Sequence, residues 1–158
     1  MKKRLCMMLA CLLILCSFFS CDLAEESGTE SKTAEETQSA EEIAAEGHWK
    51  EAVYRKSTEL GSGSKTVSVT VEADGKKIVF TLHTDKETLG EAMQEHSLLE
   101  GEESAYGLYV KKVNGILADY DVDQYYWSLQ KDGVPLMTGV DGTAIEASDH
   151  FEWVRQKG

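Results

Sequence analysis

Val67-Ser68-Val69-Thr70-Val71-Glu72-Ala73-Asp74-Gly75-Lys76-Lys77-Ile78-Val79-Phe80-Thr81-Leu82 alternates apolar and polar residues on both sides of an Asp-Gly pair. Side chains of a strand point to opposite faces in turn, so each run buries one face and wets the other. Asp-Gly tolerates the left-handed conformations that a two-residue hairpin turn requires. The stretch therefore predicts a β-hairpin, and the rest of the fold is read outward from it. Downstream, Thr88 stands three residues before Glu91, a capping box. Leu89, Ala92 and Met93 follow with i, i+3, i+4 spacing, which predicts one short helix ending before an acidic loop over residues 100–104. Residues 106–113 read as extended, and Asn114-Gly115 turns them back into Ile116-Leu117-Ala118. Residues 125–130 form a further strand, with Tyr125, Trp127 and Leu129 on one face and Tyr126, Ser128 and Gln130 on the other. Asp132-Gly133 turns the chain into residues 134–137, and a last strand spans residues 150–155 with Phe151 and Trp153 on one face. Upstream, residues 49–60 are read as either helical or an edge strand, with Val53-Tyr54 favouring the strand, and Gly61-Ser62-Gly63-Ser64 as a loop. The expected fold class is α+β: a mostly antiparallel sheet with one short helix, β-grasp-like.

Eight aromatics fall in the last third: Tyr106, Tyr109, Tyr120, Tyr125, Tyr126, Trp127, Phe151 and Trp153. Such density builds a core or presents an apolar surface to a ligand. Trp127 and Trp153 share strand faces with other apolar residues and suit a core. Tyr126, on the opposite face, is the better contact candidate.

The beginning of the chain has a different character. Lys2, Lys3 and Arg4 precede an apolar run over residues 5–19 that stops at Ser20-Cys21. This is the layout of a secretory signal, and a small residue before cysteine resembles the bacterial lipobox, in which Cys21 is lipidated. Residues 1–21 are thus expected to be a lipoprotein signal peptide, placing the protein on the extracellular face of the cytoplasmic membrane. A secreted protein cut near Cys21 is the alternative. All four cysteines, Cys6, Cys11, Cys16 and Cys21, lie in this segment, so the rest of the chain holds neither a disulfide nor a thiol nucleophile. Residues 22–47 carry nine Asp and Glu against the single Lys32, a composition expected of a disordered, self-repelling tether. Residues 48–158 are of one domain's length and carry 19 acidic against 12 basic residues, a net −7. That balance excludes nucleic acid as a partner, which needs a basic face.

Catalytic and metal signatures are weak. Asp119, Asp121 and Asp123 begin like a calcium-binding loop, but Gln124 stands where glycine is needed and Gln130 where glutamate is needed. His48, His83, His96 and His150 lack metal-ligand spacing. No nucleophile and base form a recognisable motif, so no enzymatic activity and no required cofactor are expected.

Tyr126-Trp127-Ser128-Leu129, Pro135-Leu136, Gly139-Val140 and Phe151-Glu152-Trp153 resemble the C-terminal β-domain of the cobalamin carriers transcobalamin and intrinsic factor. Thr88-Leu89-Gly90-Glu91-Ala92, Tyr106-Gly107-Leu108-Tyr109-Val110 and Asn114-Gly115 resemble small bacterial lipoproteins with a transcobalamin-like C-terminal domain. The resemblance implies a surface-anchored protein that binds cobalamin or a related corrinoid, with a membrane transporter as a possible onward partner. In the animal carriers this domain is one half of a clamp whose other half is a helical barrel. A broad planar ligand needs apolar contact across its plane and hydrogen bonds at its rim. Tyr126, Trp127 and Trp153 are the expected contacts for the plane. Gln124, Ser128, Gln130 and the backbone near Gly139 are the expected contacts for the rim. A protein-interaction or adhesion module, pairing through an exposed edge strand, is the alternative.

Overall fold

A computed structural model describes residues 41–158, so the expected signal peptide, Cys21 and most of the expected tether lie outside the described residues. The chain is mostly β. Nine strands run β1 (Thr58–Gly61), β2 (Lys65–Ala73), β3 (Lys76–Thr84), β4 (Leu99–Ser104), β5 (Gly107–Val113), β6 (Ile116–Leu117), β7 (Tyr125–Lys131), β8 (Val134–Pro135) and β9 (His150–Lys157). The only α-helices among the described residues are α1 (Leu89–Gln94) and α2 (Tyr120–Asp123), of six and four residues. The expected α+β, β-grasp-like class is therefore corrected to a mostly β fold in two sheets. The physical reason is the early stop of α1. Ser97 takes a left-handed φ of 55°, and the Leu98 N–H folds back onto the Met93 carbonyl at 3.0 Å, a helix-terminating bond of the Schellman type.

The first sheet has the order β1-β3-β2-β9-β7-β8, and the second β4-β5-β6. Antiparallel pairing predominates, but β1 runs parallel to β3 and β2 parallel to β9. The three Asx-Gly turns close hairpins as expected. Asp74, Asn114 and Asp132 take φ of 54°, 54° and 50°, each followed by a glycine at positive φ. Val67, Val69, Val71, Ile78, Phe80, Leu82, Phe151 and Trp153 bury one face of the first sheet against Leu89, Met93, Val113 and Ile116. Thr88 caps α1 by accepting the Glu91 N–H at 3.3 Å.

Other local expectations change. Residues 49–60 do not form one edge strand. A 3-10 turn at Gly47–Glu51 buries Trp49, whose indole N–H donates to the Ala73 carbonyl at 2.9 Å, and only Thr58–Gly61 is extended. The acidic loop at residues 100–104 is part of strand β4, paired antiparallel with β5, and Lys111 and Lys112 on β5 pair with Glu102 and Glu100 at 2.7 and 2.8 Å. The loop at residues 119–124 contains the helical turn α2, started by Asp119, which accepts the Asp121 N–H. Within the expected tether, the Ile43 N–H donates to the Arg55 carbonyl at 2.6 Å, and Ile43 packs on the core.

Two carboxylates make the fold sensitive to acid. The hydrogen bond from Lys111 holds the Asp119 carboxyl below its ordinary value of 3.8. The Ser64 backbone and hydroxyl do the same for Asp85. A carboxylate whose value is lowered by folding stabilises the fold at pH above its unfolded value and loses that contribution as the pH falls through its folded value. We expect thermal midpoints to be flat from pH 7 to about 5 and to fall steadily below about 4. A midpoint at pH 3 equal to that at pH 7 would contradict these bonds.

Candidate functional site

The strand order leaves one side of β7 largely uncovered. β9 pairs with β7 along its whole length, but β8 reaches only Gln130 and Lys131. Beyond that point the chain departs over residues 135–140, and β5 of the second sheet passes on the other side. The space between is a cleft of about 560 Å³, within the range of small-molecule sites. It is lined by residues 108–110 of β5, 126–129 of β7, 135–140 of the connecting loop, and Trp153. None of these residues is charged.

Five of the seven expected ligand contacts line this cleft: Tyr126, Trp127, Ser128, Gly139 and Trp153. They differ in what they offer. Trp127 and Trp153 are 7% and 3% exposed. Their indole N–H groups are already engaged, with the Ile116 carbonyl at 3.2 Å and the Met93 sulfur at 3.2 Å. They line the cleft as largely covered side chains. Tyr126 is 38% exposed, with its hydroxyl donating to Gln156 Oε1 at 3.0 Å, so its ring is held at the rim. Gly139 has an ordinary φ of −63°; a Cβ there would rest 3.5 Å from the Tyr106 carbonyl and narrow the mouth. The other two expected contacts lie off the lining. Gln124 caps α2 in a left-handed conformation and donates its amide to the Tyr120 carbonyl at 2.7 Å. Gln130 shares a face with Ser128 but sits where β8 already covers the edge.

The β5 residues, and the loop residues other than Gly139, were not among the expected contacts. Met137 and Tyr106 are 98% and 95% exposed. Met137 lines the cleft, and the Tyr106 carbonyl lies beside Gly139. Nothing in the local pattern marks Met137, whereas Tyr109 was available in the aromatic count.

Asp141 holds the two walls together. Its Oδ2 accepts the Leu108 N–H at 2.6 Å, tying the start of β5 to the loop. The carboxylate fits because its neighbours are glycines. A Cβ on Gly90 would come within 2.7 Å of Oδ1, and one on Gly107, at φ +96°, within 2.8 Å of Oδ2. Asp141→Ala is expected to destabilise the fold by about 1–2 kcal/mol, the loss of a charge-assisted bond. It should also broaden the amide resonances of residues 107–110 as β5 loosens. Unchanged resonances would remove Asp141 from this role.

Among the described residues, no group of three or more His, Cys, Asp or Glu is placed to hold a metal ion, and no helix is long and apolar enough to cross a membrane.

Comparison with known proteins places this geometry in a family. No curated protein matches the sequence. A solved structure from Ruminococcus gnavus, named a "putative metal binding protein", is 34% identical, with a TM-score of 0.57, over 60% of this chain and 99% of that one. Haptocorrin in complex with Cbi matches at 19% identity and a TM-score of 0.52 over 62% of this chain. This chain spans about a quarter of haptocorrin's length, 26%, and the likeness concerns the fold. Residues 86–157, which contain every residue lining the cleft, match a domain of unknown function, DUF4430. With that match, and with identity extending over nearly the whole of the Ruminococcus gnavus protein, the chain belongs to the DUF4430 family.

Proposed function

We propose that this protein is a binding protein, not an enzyme, whose cleft takes a broad, flat, uncharged ligand of the corrinoid type. The observation that carries this reading is a concave, uncharged cleft of about 560 Å³ with Tyr126, 38% exposed, at its rim. An aromatic rim supplies contact area to a planar body, and the tyrosine hydroxyl stays satisfied beside it. The fold shared with haptocorrin, which is known with bound Cbi, supports the same ligand class. The metal binding named for the Ruminococcus gnavus relative finds no donor cluster among the described residues, whereas a corrinoid carries its metal within its own ring. The concave shape also favours a ligand over a partner docked on a flat sheet edge. We further propose that Cys21 anchors the protein by lipid at the extracellular face of the membrane and that a transporter receives the ligand.

Titration calorimetry of the purified chain with cyanocobalamin tests the ligand reading. Saturable binding is expected, accompanied by quenching of tryptophan fluorescence, since Trp127 and Trp153 line the cleft. Tyr126→Ala should weaken it by about tenfold, the loss of one rim aromatic. No heat and no quenching at several hundred micromolar, with a folded protein, overturns the proposal.

A further inference from the structure

The uncovered side of β7 directs main-chain groups toward the cleft, and the register identifies them. In an antiparallel ladder, successive residues direct their N–H and C=O alternately to the two sides. The Leu136 N–H donates to the Leu129 carbonyl at 2.9 Å, so Leu129 faces away from β9, and Trp127 and Tyr125 face the same way. Tyr126, Ser128 and Gln130 are turned toward β9. At one end the Tyr125 N–H is taken by Asp123 Oδ1 at 3.0 Å. At the other the Leu129 carbonyl is taken by Leu136. Among the cleft-lining residues of β7, this leaves the Trp127 N–H, the Trp127 C=O and the Leu129 N–H directed to the cleft side.

This short window is blocked at both ends and is poorly suited to adding a whole strand. It suits a single amide. In extended backbone the N–H and C=O of one residue point the same way and lie close together. A primary carboxamide presents a matching C=O and N–H on one edge. A carboxylate of the same shape accepts from the N–H but sets its second oxygen against the Trp127 carbonyl. No cation lines the cleft to offset that repulsion, and residues 48–158 carry a net −7, which disfavours an anion further.

We propose that the β7 edge at Trp127 and Leu129 is a carboxamide-recognition site that admits amide-bearing ligands and rejects the corresponding acids. The inference deepens the ligand reading above by naming the functional group that the cleft reads. An unmatched polar group in a cleft costs more than a matched one returns, so discrimination of at least about tenfold is expected.

Benzamide and benzoate, equal in shape and different only in this group, test the site independently of any corrinoid. Amide resonances of the isotopically labelled chain are followed at constant ionic strength. Benzamide should shift the Trp127 and Leu129 N–H signals downfield with millimolar affinity, and benzoate should bind at least about tenfold more weakly. In the free protein these two N–H groups should exchange with solvent faster than those of Tyr126 and Ser128. Equal response to both compounds, no response to benzamide, or protection of Trp127 equal to that of its neighbours overturns the assignment. Cyanocobalamin binding without benzamide discrimination would leave the ligand reading standing and remove this one. Discrimination without cyanocobalamin binding would do the reverse.

Discussion

Arg155→Ala is expected to cost about 2–4 kcal/mol, from the loss of the charge-assisted hydrogen bonds and packing of a buried guanidinium, and to lower the thermal midpoint by roughly 8–16 °C. The Arg155 side chain on β9 is 2% exposed. Its Nη2 donates to Asp123 Oδ2 at 2.5 Å and its Nε to the Leu117 carbonyl at 2.9 Å. The guanidinium lies 3.9 Å over the Tyr125 ring, and Nη1 is 3.8 Å from Asp74 Oδ1. One side chain thus joins α2, the end of β6, β7 and the turn between β2 and β3. Truncation leaves Asp123 Oδ2 and the Leu117 carbonyl without their donor and opens a space beneath Tyr125. Arg155→Lys should recover less than half of the loss, because an ammonium does not reproduce the planar fork or its stacking. Circular dichroism melts of both variants decide the matter. A midpoint for Arg155→Ala within two or three degrees of the parent would show that the contacts are incidental.

Asn114→Ala is expected to cost about 2–4 kcal/mol. Asn114 is fully buried and sits at φ 54°, where asparagine is tolerated and alanine is not. Its side chain imitates a strand neighbour. Oδ1 accepts the Tyr54 N–H at 2.9 Å and Nδ2 donates to the Tyr54 carbonyl at 2.8 Å. Its own backbone bonds Leu98 and Val53 at 2.8 and 2.9 Å. Asn114→Gly separates the two contributions: it relieves the left-handed strain but leaves Tyr54 unpaired, so it should fall between parent and alanine. Urea titrations should show a lower midpoint with an unchanged slope. Equal stability of the alanine and glycine variants would mean that the backbone conformation contributes nothing.

The two residues illustrate different degrees of legibility. Asn114-Gly115 signals its turn directly, because the turn chemistry resides in two adjacent residues. That Asn114 also fastens Tyr54, sixty positions away, is invisible in the pattern. Arg155 is on the same strand face as Phe151 and Trp153 by simple alternation, yet a charge at such a position reads as the end of a strand. β9 in fact continues to Lys157 with the guanidinium turned inward. The helix start at Thr88 was legible, whereas its end was not, since Ser97 carries no mark of its left-handed conformation. The seven proposed contacts divide along the same line. Those flanking the uncovered edge of β7 come together at the cleft. Gln124 and Gln130, whose amides suit the rim of a ligand, are withdrawn by a helix cap and by β8.

The amino-acid sequence by itself determined the hairpins, the buried face of each long strand and the capped start of α1, because turn chemistry and alternation act over a few neighbouring residues. Only the tertiary structure decided that β2 and β9 run side by side in parallel, that Arg155 turns inward, and that β7 keeps one side open beside β5 and residues 135–140. A cleft is what distant segments leave uncovered when they pair, and that remainder depends on all the pairings together.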